Sequence, residues 1–268
     1  MGVSIASLLR AHGVAEEIVG TDKSELNLEM ARRMGCLDRT EARLDRAVIG
    51  ATVIVLALPL DEVFSAMQAL GPDVRPGTLI TCTAGTTARL HAQLVRHVRS
   101  AENFVPAYPL IWSAGAGPGT ASADLLQGKK CLLASGEHVS DRALEQAVAF
   151  WTAVGMQPDV LPADRFEASI AGHAFWPLTI GLAASKVASR ENWPVADTAL
   201  TRWLEVVGTS MENPERSMQL YSSRLCGLLA ETIEELKVWH RRLGGAIDDP
   251  EQEDKGMLQV QAEEKKET

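Results

Sequence analysis

The chain has 268 residues, enough for one large or two moderate domains that bury a core without staples. With 46% hydrophobic residues, 23% charged residues and a formal net charge of −9, it suits a soluble globular protein and would repel nucleic-acid phosphates. No run approaches the roughly 18 apolar residues of a membrane span, and no basic-then-apolar leader opens the sequence, so the expected compartment is the cytoplasm. Cys36, Cys82, Cys131 and Cys226 are scattered, with no C-x-x-C pair, and are expected to be reduced, mostly buried thiols.

The chain opens with an amphipathic stretch over residues 2–12 closed by Gly13, followed by the apolar run Glu17-Ile18-Val19-Gly20-Thr21-Asp22. A helix, an apolar run and a carboxylate about 20 residues after Gly2 are the spacing of a dinucleotide-binding βαβ unit. Gly2 sits where the last glycine of a G-x-G-x-x-G turn belongs, and Asp22 where a carboxylate takes the ribose hydroxyls of NAD and repels the extra phosphate of NADP. The alternative for Asp22 is a helix cap. The strand that normally precedes this unit, with two further glycines, is expected to lie upstream of Met1.

Further along, residues 26–34 read as a helix ended by Gly35, and a polar stretch runs to Ala47. The apolar run at 53–57 reads as a strand buried on both faces, broken by Leu58-Pro59. Asp61 is expected to cap a helix over 62–70. Residues 78–82 read as a strand, 83–87 as a small-residue loop, 88–98 as a helix and 104–105 as a short strand. A strand at 130–134, a helix at 141–154 closed by Gly155, and a last strand at 158–161 complete an α/β alternation that implies a parallel sheet with helices on both faces. After Pro162 only helical patterns follow, at about 164–189, 195–208 and 214–243. The last is long and carries Met218, Leu225, Leu228, Leu229, Ile233 and Leu236 on related faces, which suggests a second copy packed against it. The charged tail is expected to be disordered. The expected organisation is therefore a dinucleotide-binding domain at 1–161, a helical substrate and dimerisation domain at 162–247, and a tail at 248–268.

Several segments resemble, in order and spacing, the prephenate/arogenate dehydrogenase family, the oxidoreductases of tyrosine biosynthesis. They are Gly2-Val3-Ser4-Ile5-Ala6 with Gly13, Leu56-Ala57-Leu58-Pro59-Leu60, Pro76-Gly77-Thr78-Leu79-Ile80-Thr81, Leu125-Leu126-Gln127-Gly128-Lys129, Phe150-Trp151-Thr152-Ala153-Val154-Gly155 and Asn213-Pro214-Glu215. The resemblance implies a Rossmann domain followed by a helical dimerisation domain, NAD in preference to NADP, a small cyclic acid as substrate, and a homodimer. It places Gly2, Asp22, Ala57, Leu58, Pro59, Ala84 and Gly85 along the cofactor.

The chemistry implied is hydride transfer from a ring hydroxyl while carbon dioxide leaves, which calls for a base at the hydroxyl and a guanidinium for substrate carboxylates. Here the chain departs from the family. The family's H-P-M-A-G reads Tyr108-Pro109-Leu110-Ile111-Trp112, so tyrosine replaces the histidine that polarises the hydroxyl. Its D-V-x-S-x-K reads Cys82-Thr83-Ala84-Gly85-Thr86-Thr87, with Gly85 in place of the serine and Thr86 as a neighbouring hydroxyl. The family's second histidine is kept as His173, a His-Asp pair falls near Arg165-Phe166, and Arg202 lies near the distal arginine at a different register. The implied catalytic set is thus His173, Tyr108 and Thr86. Against it stand a core histidine and a buried aromatic at a strand end; Trp112, Phe175 and Trp176 are read as lining an apolar pocket or as plain core. Two readings follow: an NAD-dependent dehydrogenase of this group or for a different small molecule, or a catalytically impaired homologue used for binding or assembly.

Overall fold

The computed structural model describes residues 1–70, 74–86, 88–97, 101–111, 117–190, 201 and 218–244. The chain divides into two compact units, Met1–Leu225 and Cys226–Thr268.

Helix α1, Gly2–His12, buries Ser4, Ile5, Ala6 and Leu8 and stops at Gly13. At φ 63° that glycine returns its N–H to the carbonyls of Leu9 and Arg10, the left-handed cap that glycine adopts without a Cβ penalty. Strand β1, Val19–Gly20, pairs in parallel with β2, Arg39–Thr40, across helix α2, Glu25–Arg33. A second parallel ladder joins β3, Val53–Leu56, to β4, Leu79–Cys82, and β4 to β5, Phe104–Val105. All four residues of β4 are buried, as befits a central strand covered on both faces. Its Thr81 hydroxyl is satisfied there, donating to the Val105 carbonyl and accepting from the Trp151 indole.

The third ladder runs from β6, Ala107–Pro109, through β7, Lys130–Ser135, to β8, Gln157–Pro162. The β6–β7 pair is antiparallel and β7–β8 parallel. Helix α3, Leu44–Ala47, precedes β3, helices α4, Leu60–Ala69, and α5, Ala88–His97, follow β3 and β4, and α6, Asp141–Val154, packs on α1 and on β4, β5, β7 and β8. Beyond β8 come α7, Ala163–Ile170, a π-helical turn, Ala171–Phe175, and α8, Trp176–Arg190. Helix α9, Ser222–Arg242, begins at the end of the first unit and runs into the second. Among the described residues no helix is long and apolar enough to cross a membrane.

The expected α/β architecture with a helical C-terminal region is what the chain adopts, with four departures. The polar stretch before Ala47 holds β2 and α3, which two-residue pairing and a single turn leave without a periodic signal. Strand β6 adds the antiparallel pair, and its apolar run is too short to register. Asp61 does not cap: α4 starts at Leu60 with Pro59 as N-cap, and Asp61 lies in the first turn, where a carboxylate complements the helix dipole. Strand β3, expected to be buried on both faces, alternates half-buried and buried residues; the cysteines are mostly buried as expected, Cys36, Cys82 and Cys131 inside and Cys226 exposed. The pattern at 195–208 apart from residue 201, residues 214–217 and the tail from 245 onward lie outside the described residues.

Candidate functional site

Two groups of the expected residues stand at the C-terminal edge of the parallel β3–β4 ladder, where Leu56 pairs with Cys82. At the first, α1 begins beside the end of β3. A Cβ built on Gly2 would stand 3.3 Å from the Cβ of Ala57, tighter than most such contacts, so a glycine is what lets helix and strand approach. Just past β1, Asp22 Oδ1 accepts the Ser24 N–H (2.8 Å) and the Asn27 side-chain amide (3.3 Å). The carboxylate thus organises the turn into α2, whose N-cap is Ser24. Its second oxygen takes no hydrogen bond among the described residues and points the group's remaining acceptor capacity to solvent, so the turn and the ribose readings are compatible. The neighbouring Lys23 ammonium lies 2.6 Å from Glu62 Oε2, in the first turn of α4. Leu58 packs on the cluster that includes Val63 and Met67, and Pro59 opens α4.

The second group surrounds the loop after β4. Gly85 donates its N–H to the Ala107 carbonyl (2.9 Å) and has φ +70°. A Cβ there would stand 2.4 Å from Ile170 Cδ1, 3.3 Å from the Tyr221 hydroxyl and 3.5 Å from Tyr108 Cδ2. Gly85, Tyr108, Ile170 and Tyr221 therefore meet at one point. The Tyr221 hydroxyl donates to the Thr86 carbonyl at 3.2 Å, and its ring lies 4.7 Å from that of Phe175. Cys82 directs its thiol at the Gly85 and Ala107 carbonyls, and burial pushes that thiol up to about 11, so it is inert at neutral pH. Burial also pushes the Tyr108 phenol up to about 12, and raises Tyr221 well above its ordinary range, with Tyr108, Cys82 and Glu167 adding to the effect. Both tyrosines are hydrogen-bond donors and neither is a base. Thr86 is buried, its backbone carbonyl taken up by Tyr221.

His173 has a different setting from the core position that an apolar helix suggests. It is exposed and sits in the π-helical turn, the kind of helix irregularity that recurs at functional sites. Its Nδ1 lies 2.7 Å from the Ser169 carbonyl; a carbonyl only accepts, so Nδ1 carries the hydrogen and Nε2 keeps its lone pair. Phe175 is buried and Trp176 is 37% exposed. Trp112, Thr87 and Arg202 lie outside the described residues. The buried hydrophobic cluster around Tyr108 takes in Ala84, Phe166, Ile170, Phe175, Tyr221 and Leu225.

Three contributions escaped the sequence reading. Tyr221 and Ile170 fill the space over Gly85 from segments far away in the chain, and no motif marks them. Glu167 accepts the Ala88 N–H at 3.1 Å, holding α7 to the start of α5 and so bracing the 83–86 loop. The Lys23–Glu62 pair bridges residues 39 apart, visible in sequence only as two ordinary surface charges.

Residues 5–158 match the family model described as the nucleotide-binding domain of prephenate dehydrogenase. The chain is similar to a cyclohexadienyl dehydrogenase of Zymomonas mobilis, 23% identical over 172 residues; the aligned stretch covers 62% of this chain and 57% of that relative. Among solved structures, a prephenate dehydrogenase of Aquifex aeolicus in complex with hydroxyphenyl propionate and NAD+ superimposes with a TM-score of 0.77 at 14% identity, covering 98% of this chain and 93% of that one. A Synechocystis arogenate dehydrogenase gives 0.70 at 17% identity, covering 99% and 96%. At such identities these two establish the fold.

Proposed function

The chain belongs to the prephenate dehydrogenase family, and from that premise we propose that it is an NAD-dependent dehydrogenase of the prephenate/arogenate group, acting on a small cyclic hydroxy acid in the cytoplasm. The observation that carries the cofactor part is the close approach of Gly2 to Ala57, and the exposed Asp22 carboxylate just past β1 supports it. Those residues fit an adenosine ribose: a glycine where backbone must come near and a carboxylate acceptor for two hydroxyls. Ala57, Leu58, Pro59, Ala84 and Gly85 would line the rest of the cofactor. When bound, NAD supplies the hydride acceptor.

The chain's own residues supply proton handling. His173, its Nδ1–H fixed on the Ser169 carbonyl, presents Nε2 as the acceptor for the substrate's hydroxyl proton. Tyr108 is suited to donate to that hydroxyl and not to deprotonate it. The space over Gly85, closed by Ile170 and Tyr221 where the family's serine would stand, supports slow oxidation of prephenate and arogenate, or a different small substrate. The apolar side of α9, with Ile233, Leu236 and Trp239 each more than half exposed, supports a homodimer.

Calorimetric titration with NAD and NADP, followed by turnover assays with prephenate and arogenate, tests the proposal. NAD binding with His173-dependent turnover supports it. NAD binding with no turnover on any cyclic hydroxy acid would favour the impaired homologue, and no binding of either dinucleotide would refute the cofactor reading.

A further inference from the structure

Lys23 follows directly on Asp22, the carboxylate placed at the cofactor ribose. A cation near that position is what accommodates the 2′-phosphate of NADP, so a free Lys23 would work against the preference that Asp22 sets. The structure engages it elsewhere. Its ammonium lies 2.6 Å from Glu62 Oε2, across from the β1–α2 turn to the first turn of α4. The Glu62 side chain is anchored on the helix and 31% exposed, whereas that of Lys23 is 84% exposed and reaches to it. Glu62 dominates the hold on that ammonium, with Asp22 and Asp61 adding to it. A dianionic 2′-phosphate brought here meets carboxylates and an ammonium already paired.

We infer that Glu62 is a cofactor-specificity residue: by holding the Lys23 ammonium it withholds the counter-ion that a 2′-phosphate requires, and so reinforces the preference for NAD. The inference rests on the cofactor reading above and names a determinant that reading does not contain. Glu62 acts through Lys23, and an exposed pair of this kind adds little to folding, so substituting it leaves the protein intact for binding measurements.

The test is calorimetric titration of the full chain with NAD, NADP, adenosine 5′-monophosphate and adenosine 2′-monophosphate. Glu62→Gln is expected to tighten NADP and the 2′-monophosphate by about fivefold, the scale of one freed surface charge, with NAD and the 5′-monophosphate unchanged. In a Lys23→Gln background the same substitution is expected to give no gain. A gain of equal size without Lys23 would mean that Glu62 acts by direct repulsion and would overturn the inference, as would no gain at all. NAD binding without the Lys23-dependent gain overturns this inference alone; failure of the unmodified chain to bind either dinucleotide overturns the cofactor reading and this inference with it.

Discussion

Replacing Gly85 with alanine is expected to destabilise the protein through one identifiable atom. The residue has φ +70°, a region that costs a non-glycine residue about 1–2 kcal/mol. Its new Cβ would stand 2.4 Å from Ile170 Cδ1, and Ile170 is fully buried, so the methyl has no solvent to retreat into. Overpacking of that kind costs about 1–3 kcal/mol, for a total of about 2–5 kcal/mol and a fall in Tm of roughly 5–15 °C. Ile170→Val removes Cδ1 alone and in the parent chain should cost about 0.5–1.5 kcal/mol. In the Gly85→Ala background it should cost nothing or restore stability, because it deletes the clashing atom. Urea unfolding of the four proteins, compared as a double-mutant cycle, reads the coupling directly. Additive effects, or a neutral Gly85→Ala, would refute the assigned packing. The same cycle bears on chemistry: Gly85→Ser, which installs the family's hydroxyl, should regain activity only when Ile170 is shortened with it.

Asp22→Ala is expected to weaken NAD at least tenfold while leaving NADP less affected, read by calorimetry; equal losses would show that Asp22 serves only the α2 turn. His173→Ala should lower turnover about a hundred- to ten-thousand-fold, the worth of a general base, with little change in Tm because the ring is exposed; unchanged turnover would remove it from the site. Burial, with the neighbouring His138 adding, pulls the His91 imidazole from 6.5 down to about 4. The unfolded chain then binds the extra proton between those values. Stability from this group is complete above pH 6.5 and is lost as pH falls toward 4, by about 3 kcal/mol in all. Urea melts at pH 7 and 4.5 should show that loss, and His91→Phe should flatten it. Leu236→Asp on the exposed face of α9 should convert a dimer to a monomer in light scattering; a monomeric parent chain would refute the assembly.

Much of the fold was legible because its signals are local. Gly13 and Gly155 end α1 and α6 where a left-handed residue is needed, and the continuous apolar runs at 53–57 and 78–82 mark β3 and β4, of which β4 is buried throughout. Strands of two or three residues, β2 and β6, carry too few side chains for a period and exist only because a neighbouring strand pairs with them. The site divides along the same line. The order of glycine, apolar run and carboxylate in the first 22 residues singled out Gly2 and Asp22 as candidates, and the retained motif position singled out His173. That Ile170 and Tyr221 close the space over Gly85, and that Glu62 holds Lys23, were decided by tertiary contacts alone. Burial and hydrogen-bond partnership depend on which distant segments meet, and pKa and accessible space follow from those, so no local pattern of residues encodes them.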